Sequence, residues 1–282
     1  MIRRDAFTPP RGPRPIKPVR AVLALLTLAA LSGCGAGVLP AVRTDAERLQ
    51  VARRLAAEGE RQAAIELLKG YVERNAGASD VDEALYLLGE CYLGQKEWAS
   101  AQFDFERLLR DYPESDSSGS AAFRLGEALF GQARGPDFDQ EFTQKALTQW
   151  LEYRAGYPQH WRAPEGDARI REARDRLARK LLASGHLYLR LRMAVPARAY
   201  FERVAGEFGD LPLAGQAEIG LALCDRLEGK KAEAIARLQR IEAAHAGQPA
   251  ATVARRERER TEKMKLRAPA RPLPPAIPEI GS

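Results

Sequence analysis

Three cysteines in 282 residues, at 34, 91 and 224, are too few for a fold held by disulfides. The three histidines, at 160, 186 and 245, lie too far apart to form a metal-ligand or catalytic set at any recognised spacing, and no glycine-rich phosphate loop is present. Apolar runs are short. The longest, residues 21–31, is broken only by Thr27 and rises about 16 Å as a helix, roughly half of a bilayer core, so a membrane-spanning helix is not expected. Acids are scarce only at the two ends. Residues 1–33 hold six basic side chains and one acid, and the stretch from Ala254 onward holds eight basic and four acidic ones, which leaves residues 34–253 at −3 within a chain of net +6. The basic pI of about 9.3 belongs to the ends, and a nucleic-acid-binding body is excluded as the main reading.

What is present begins with a leader. Arg3, Arg4, Arg11, Arg14, Lys17 and Arg20 precede the apolar run, and small residues follow it at Ser32 and Gly33, the three-part layout of a secretory signal. The four residues Leu31-Ser32-Gly33-Cys34 resemble the bacterial lipobox, which implies cleavage before Cys34 and a diacylglycerol and N-acyl lipid on it, with no other cofactor. Two or more acyl chains hold a protein stably on a membrane. Residue 35 is Gly rather than Asp, which by the same resemblance implies the outer membrane. Residues 34–43 then form a tether whose reach is at most roughly 35 Å.

Beyond the tether the chain repeats. Leu85, Leu88, Gly89, Tyr92, Ala101, Phe105 and Pro113 fall on the tetratricopeptide template, and a shift of 37 residues finds Ala52, Leu55, Ala64 and Leu68 upstream and Leu125, Gly126 and Leu129 downstream. The third unit resumes eight residues late, at Ala146, Trp150 and Pro158. The fourth (Gly185, Tyr188, Ala197, Phe201) comes after fourteen further residues that lengthen its first helix backwards, and the fifth reads Leu221, Ala222, Gly229, Ala234 and Leu238. These positions are core. An all-α, right-handed tetratricopeptide solenoid of five helix pairs is predicted over 44–246, with pairs at 45–75, 81–111, 118–155, 165–207 and 213–245. A basic helix over 247–266 and a Pro-rich tail over 267–282 follow, the helix offering either a contact for acidic lipid or a partner, or simply a solvated face. Cys91 and Cys224 occupy equivalent places three repeats apart. At 8–10 Å per helix layer that distance excludes a disulfide between them.

Repeat solenoids bind through the face formed by their first helices. In this register the groove positions of units two and three are Glu83, Tyr86, Glu90, Leu93, Phe123, Glu127 and Phe130, an apolar and aromatic surface dotted with acids that suits an extended apolar peptide. The rings either line that groove or pack against a neighbouring unit, and both readings stand. The insertion "GQARGPDFDQ", residues 131–140, reads as a surface loop, functional or tolerated. No catalytic constellation emerges, so a non-enzymatic protein is expected.

The run "DEALYLLGECYLGQKEWASAQFDFERLLRDYPESDSSGSAAFRLGEALF", the following "DFDQ" and the long helix "RIREARDRLARKLLASGHLYL" together resemble the BamD family of outer-membrane assembly lipoproteins over about residues 43–245. The resemblance implies a periplasm-facing scaffold that helps insert β-barrel proteins. Asp137, Asp139 and Gln140 would be the family's loop residues, the first units would receive unfolded β-barrel precursors, and the last units would dock a BamA-like barrel-inserting protein beside other assembly lipoproteins. Unit one departs in lacking the usual aromatics, and unit four ends Phe208-Gly209 where units two and three have Tyr-Pro. Tetratricopeptide units also serve cell-wall and division complexes, which is the alternative role.

Overall fold

The structure is a computed structural model that describes residues 41–264. The lipobox with Cys34, most of the tether and the Pro-rich tail lie outside the described residues.

Among the described residues there are eleven helices and no strand: α1 (Asp45–Glu58), α2 (Arg61–Arg74), α3 (Val81–Gln95), α4 (Trp98–Asp111), α5 (Ser118–Gln132), α6 (Glu141–Gly156), α7 (Ala163–Arg190), α8 (Ala194–Glu207), α9 (Ala214–Leu227), α10 (Lys231–Ala244) and α11 (Pro249–Lys263). The first begins at Thr44, whose hydroxyl accepts the Glu47 N–H at 3.1 Å, with Asp45 and Glu47 placed where the helix dipole favours anions. It ends at Gly59, whose φ of 86° lets the chain reverse within two residues. Pro164 opens α7 and Pro249 opens α11, positions where the missing N–H would have had no helical partner.

Each helix packs on the next in sequence, so the chain forms five antiparallel pairs, with α11 covering the last. First helices also touch one another, α1 with α3, α3 with α5, α7 with α9 and α9 with α11, while no comparable contact joins the second helices. The first helices therefore line the inner side of the array.

The repeat residues do the packing that their sizes suggest. Trp150 on α6 is fully buried against Gly126 on α5, and its indole N–H donates to the Phe123 carbonyl at 3.2 Å. Phe201 lies between Gly185 on α7 and Gly220 on α9; a methyl group on either would come within 2.7 Å of the ring. Cys91 and Cys224 are buried free thiols, and burial pushes each up to about 11, so neither is a nucleophile at neutral pH.

The apolar core divides along α7. One cluster runs from Leu49 to Ala173, and a second begins at Ala178 and reaches Cys224. The second half of the array adds a buried polar knot. The Asp225 carboxylate accepts from Arg198 and Arg237, each at 2.8 Å; burial opposes its charge, but the two guanidiniums outweigh burial and hold it below the usual carboxylate range.

Asp104 on α4 is the opposite case. Burial pushes its carboxyl up to about 7, and Arg107 and Lys69 offset only part of the penalty. Because the folded value lies above the ordinary value near pH 4, the folded state loses stability as pH rises from about 4 to about 7 and stays penalised above that, by at most about 4 kcal/mol. Asp104→Asn should therefore melt several degrees above the parent at pH 8, with the gap shrinking at pH 5. A gap that does not change with pH in thermal melts would contradict this assignment.

Candidate functional site

On the inner side, residues of units one to four line an open groove of about 460 Å3 centred on units two and three. Its walls come from four successive layers: Arg61 at the start of α2, Glu90 and Leu93 on α3, Arg124, Glu127 and Phe130 on α5, and Arg169 on α7. The indoles of Trp98 and Trp150 close it from the second helices. Helical spacing puts Glu90 with Leu93 and Glu127 with Phe130 on one face, because residues three apart on a helix are neighbours.

Acids and arginines alternate across this surface. Arg124 reaches Glu90 at 2.5 Å and Glu127 at 2.5 Å, and Arg169 joins Glu127 to Glu172, both at 2.9 Å. Glu83 on α3 is paired with Arg53 on α1. Burial works against the Arg124 charge, but Glu90 and Glu127 outweigh it and hold the guanidinium above its ordinary range. The ladder is a rigid floor whose carboxylates are already matched. The cationic groups that complete it, Arg124 and Arg169, escaped the sequence reading, as did Arg61 at the wall, which joins no ion pair among the described residues. One signal was available for Arg124, which stands three residues before Glu127 on the same helix; Arg169 is 42 residues away and gave none.

The aromatic positions separate into two kinds. Phe130 is half-buried at the groove wall, 5.5 Å from Trp150, with the Arg176 guanidinium 4.0 Å from its ring. Tyr86 is half-buried against Phe105, and burial followed by Glu90 raises its phenol. Phe123 is not a groove residue. It is fully buried, edge-on to Tyr153 at 5.6 Å and beneath the Arg162 guanidinium at 5.0 Å, because the N-terminal end of the lengthened α7 folds over it.

The inserted loop, residues 133–140, holds the other candidates. Asp137 and Asp139 are exposed, and the Asp137 carbonyl accepts from Lys180 on α7 at 2.8 Å. Gln140 is buried; its amide donates to the carbonyls of Gly135, Phe138 and Asp139, and Thr143 donates to its oxygen at 2.8 Å. Gln140 fastens the loop, and the two aspartates face solvent. Cys34 lies outside the described residues.

Nothing among the described residues groups three or more potential metal ligands. His160 is tied to Tyr153 at 2.8 Å and to Ser120 at 3.3 Å, and His186 packs edge-on to Phe201. No described helix is long and apolar enough to cross a membrane.

These features define an α-helical repeat scaffold of the tetratricopeptide kind, with a shaped inner face and its charges matched. Within that class the chain belongs to the family whose model, YfiO, is described as outer membrane lipoprotein, matched over residues 56–223. No curated protein matches. Among solved structures, a thermophilic TPR protein of Thermus thermophilus is 18% identical, covering 78% of this chain and 100% of that one at a TM-score of 0.35. Nearly identical TPR-like repeats from Podosopora anserina are 17% identical, covering 72% and 96% at a TM-score of 0.34. The fold rests on the helix pairs themselves rather than on these likenesses.

Proposed function

We propose that this outer-membrane lipoprotein acts by binding, without catalysis, as a periplasm-facing scaffold for the assembly and insertion of β-barrel proteins, anchored through lipid on Cys34. The observation that carries the reading is the groove of units two and three. Leu93 and Phe130 offer apolar contact, and Arg61, in no ion pair among the described residues, supplies donors for peptide carbonyls or a carboxylate. Such a surface suits the alternating apolar side chains of an unfolded β-strand segment. A BamA-like barrel-inserting subunit and other assembly lipoproteins are its proposed partners, and membership of the outer membrane lipoprotein family supports that setting.

A labelled peptide copying the last strand of an outer-membrane barrel should bind the full chain, and Leu93→Glu should weaken that binding at least tenfold, about 1.4 kcal/mol. Helicity should be unchanged, since Leu93 is only partly buried, at the edge of the core. Affinity within twofold of the parent would remove the groove from the account. Binding of division or cell-wall proteins instead would favour the alternative scaffold role.

A further inference from the structure

The array is interrupted once, and the interruption leaves a helix face bare. In units two, three and five the residue two positions beyond the small motif residue is covered: Cys91 is 3% exposed, and Ala128 and Cys224 are 0% exposed. The second helix of the preceding pair lies alongside. Arg61 of α2 is within electrostatic reach of the Cys91 thiol, as are Arg198 and Glu202 of α8 for Cys224. The same position in unit four is Leu187, and it is 46% exposed.

The length of α7 is the cause. Helix α6 runs antiparallel to its first half, with Arg154 paired to Asp167 at 2.7 Å and Gly166 set against the Tyr153 ring. At 1.5 Å per residue the 16-residue α6 spans about 24 Å and the 28-residue α7 about 42 Å. The preceding helix therefore runs out about three turns before α7 ends. On those turns Ala183, Leu187 and Leu191 are exposed at helical spacing, and Met193 and Val195 continue the apolar surface around the turn. Residues 181–197 contain no acid, and the exposed Arg190 and Arg192 take part in none of the ion pairs among the described residues.

We infer that this face of α7 receives an α-helix of a partner protein, one with an apolar stripe at i, i+3, i+4 and i+7 and acidic residues beside it. The occupant is a helix because the fold covers the three equivalent places with helices. Its flanks are acidic because the rim is Arg190 and Arg192 with no acid between Leu181 and Ala197. The chain's own residues after Met264 do not fit. Their sequence has prolines at 269, 272, 274, 275 and 278 in place of an apolar stripe flanked by acids, and Lys265, Arg267 and Arg271 would meet like charge. This surface is separate from the groove of units two and three and does not depend on what that groove binds.

The probe is a labelled 16-residue amphipathic peptide with leucines at that spacing and glutamates flanking them, compared with a counterpart bearing lysines in place of the glutamates. Titrated into the full chain, the glutamate peptide should bind at least tenfold more tightly than the lysine one. The double change Leu187→Glu with Leu191→Glu, both at exposed positions, should cost at least tenfold, while Leu93→Glu should leave this binding as in the parent. Equal binding of the two peptides, or an unaffected double variant, overturns the inference. So does at least tenfold tighter binding to a chain ending at Lys263, which would assign the face to the chain's own tail. A dimer in sedimentation that disappears in the double variant would assign it to a second copy and overturn it equally.

Discussion

Replacing Phe123 with glutamate should unfold the middle of the array rather than detune a binding surface. The ring is fully buried, with Tyr153 edge-on at 5.6 Å and the Arg162 guanidinium 5.0 Å from its centre. Losing such a ring costs about 3–5 kcal/mol in packing, and an ionised carboxylate buried in its place adds several more. Arg162, already paired with Glu165 at 3.1 Å and lying against Trp161, would recover only part of that cost. Domains of this kind are stable by about 5–15 kcal/mol, so the expected result is a fall of about 10 °C or more in melting temperature, or no cooperative transition at all. Phe123→Leu should be much milder, because it keeps an apolar side chain of similar size. A Phe123→Glu protein that melts like the parent would place the ring at the surface.

Phe123 also shows what periodicity does and does not reveal. Its counterpart in unit two, Tyr86, occupies the same register and is only partly buried, so the repeat assigns both to one face. Phe123 is covered by Tyr153 on α6 and by Arg162, which the fourteen additional residues of α7 bring back over it, a contact made 39 residues along the chain. The 37-residue period made the all-α array legible, since small residues such as Gly126 and rings such as Trp150 recur where helices approach. The ion-pair ladder was not legible in the same way. Glu90 and Glu127 read as acids dotting a groove, but their charges are answered by Arg124 and Arg169, 34 and 42 residues distant, and a lookup by repeat register does not pair them. From sequence, Gln140 reads only as one more residue of the inserted loop beside the two aspartates. Its three bonds to loop carbonyls make it the residue that holds Asp137 and Asp139 outward.

Unit three and the first helix of unit four concentrate the unusual features of the chain. The eight-residue connection at 133–140, the 28-residue α7 and the division of the core near Ala173 and Ala178 coincide. Lys180 links the first two through the Asp137 carbonyl. A peptide groove centred on units two and three and a bare helix face on unit four would let one chain hold a precursor and a partner at the same time, on surfaces that do not overlap.

Depletion tests the central claim most directly. If the protein is a lipid-anchored scaffold for barrel assembly, its removal should lower many different outer-membrane β-barrel proteins together, each severalfold, while lipoproteins and periplasmic soluble proteins persist. The effect should exceed that of any single groove substitution, because every precursor would lose the same station. Restoring the parent chain should restore them, whereas Cys34→Ala should leave the chain off the membrane and restore them poorly, since two or more acyl chains are what make such anchoring stable. Quantitative mass spectrometry of outer membranes after depletion gives the answer. A concerted fall in barrels is the predicted result, and unchanged barrel levels beside a cell-wall or division defect would contradict the account.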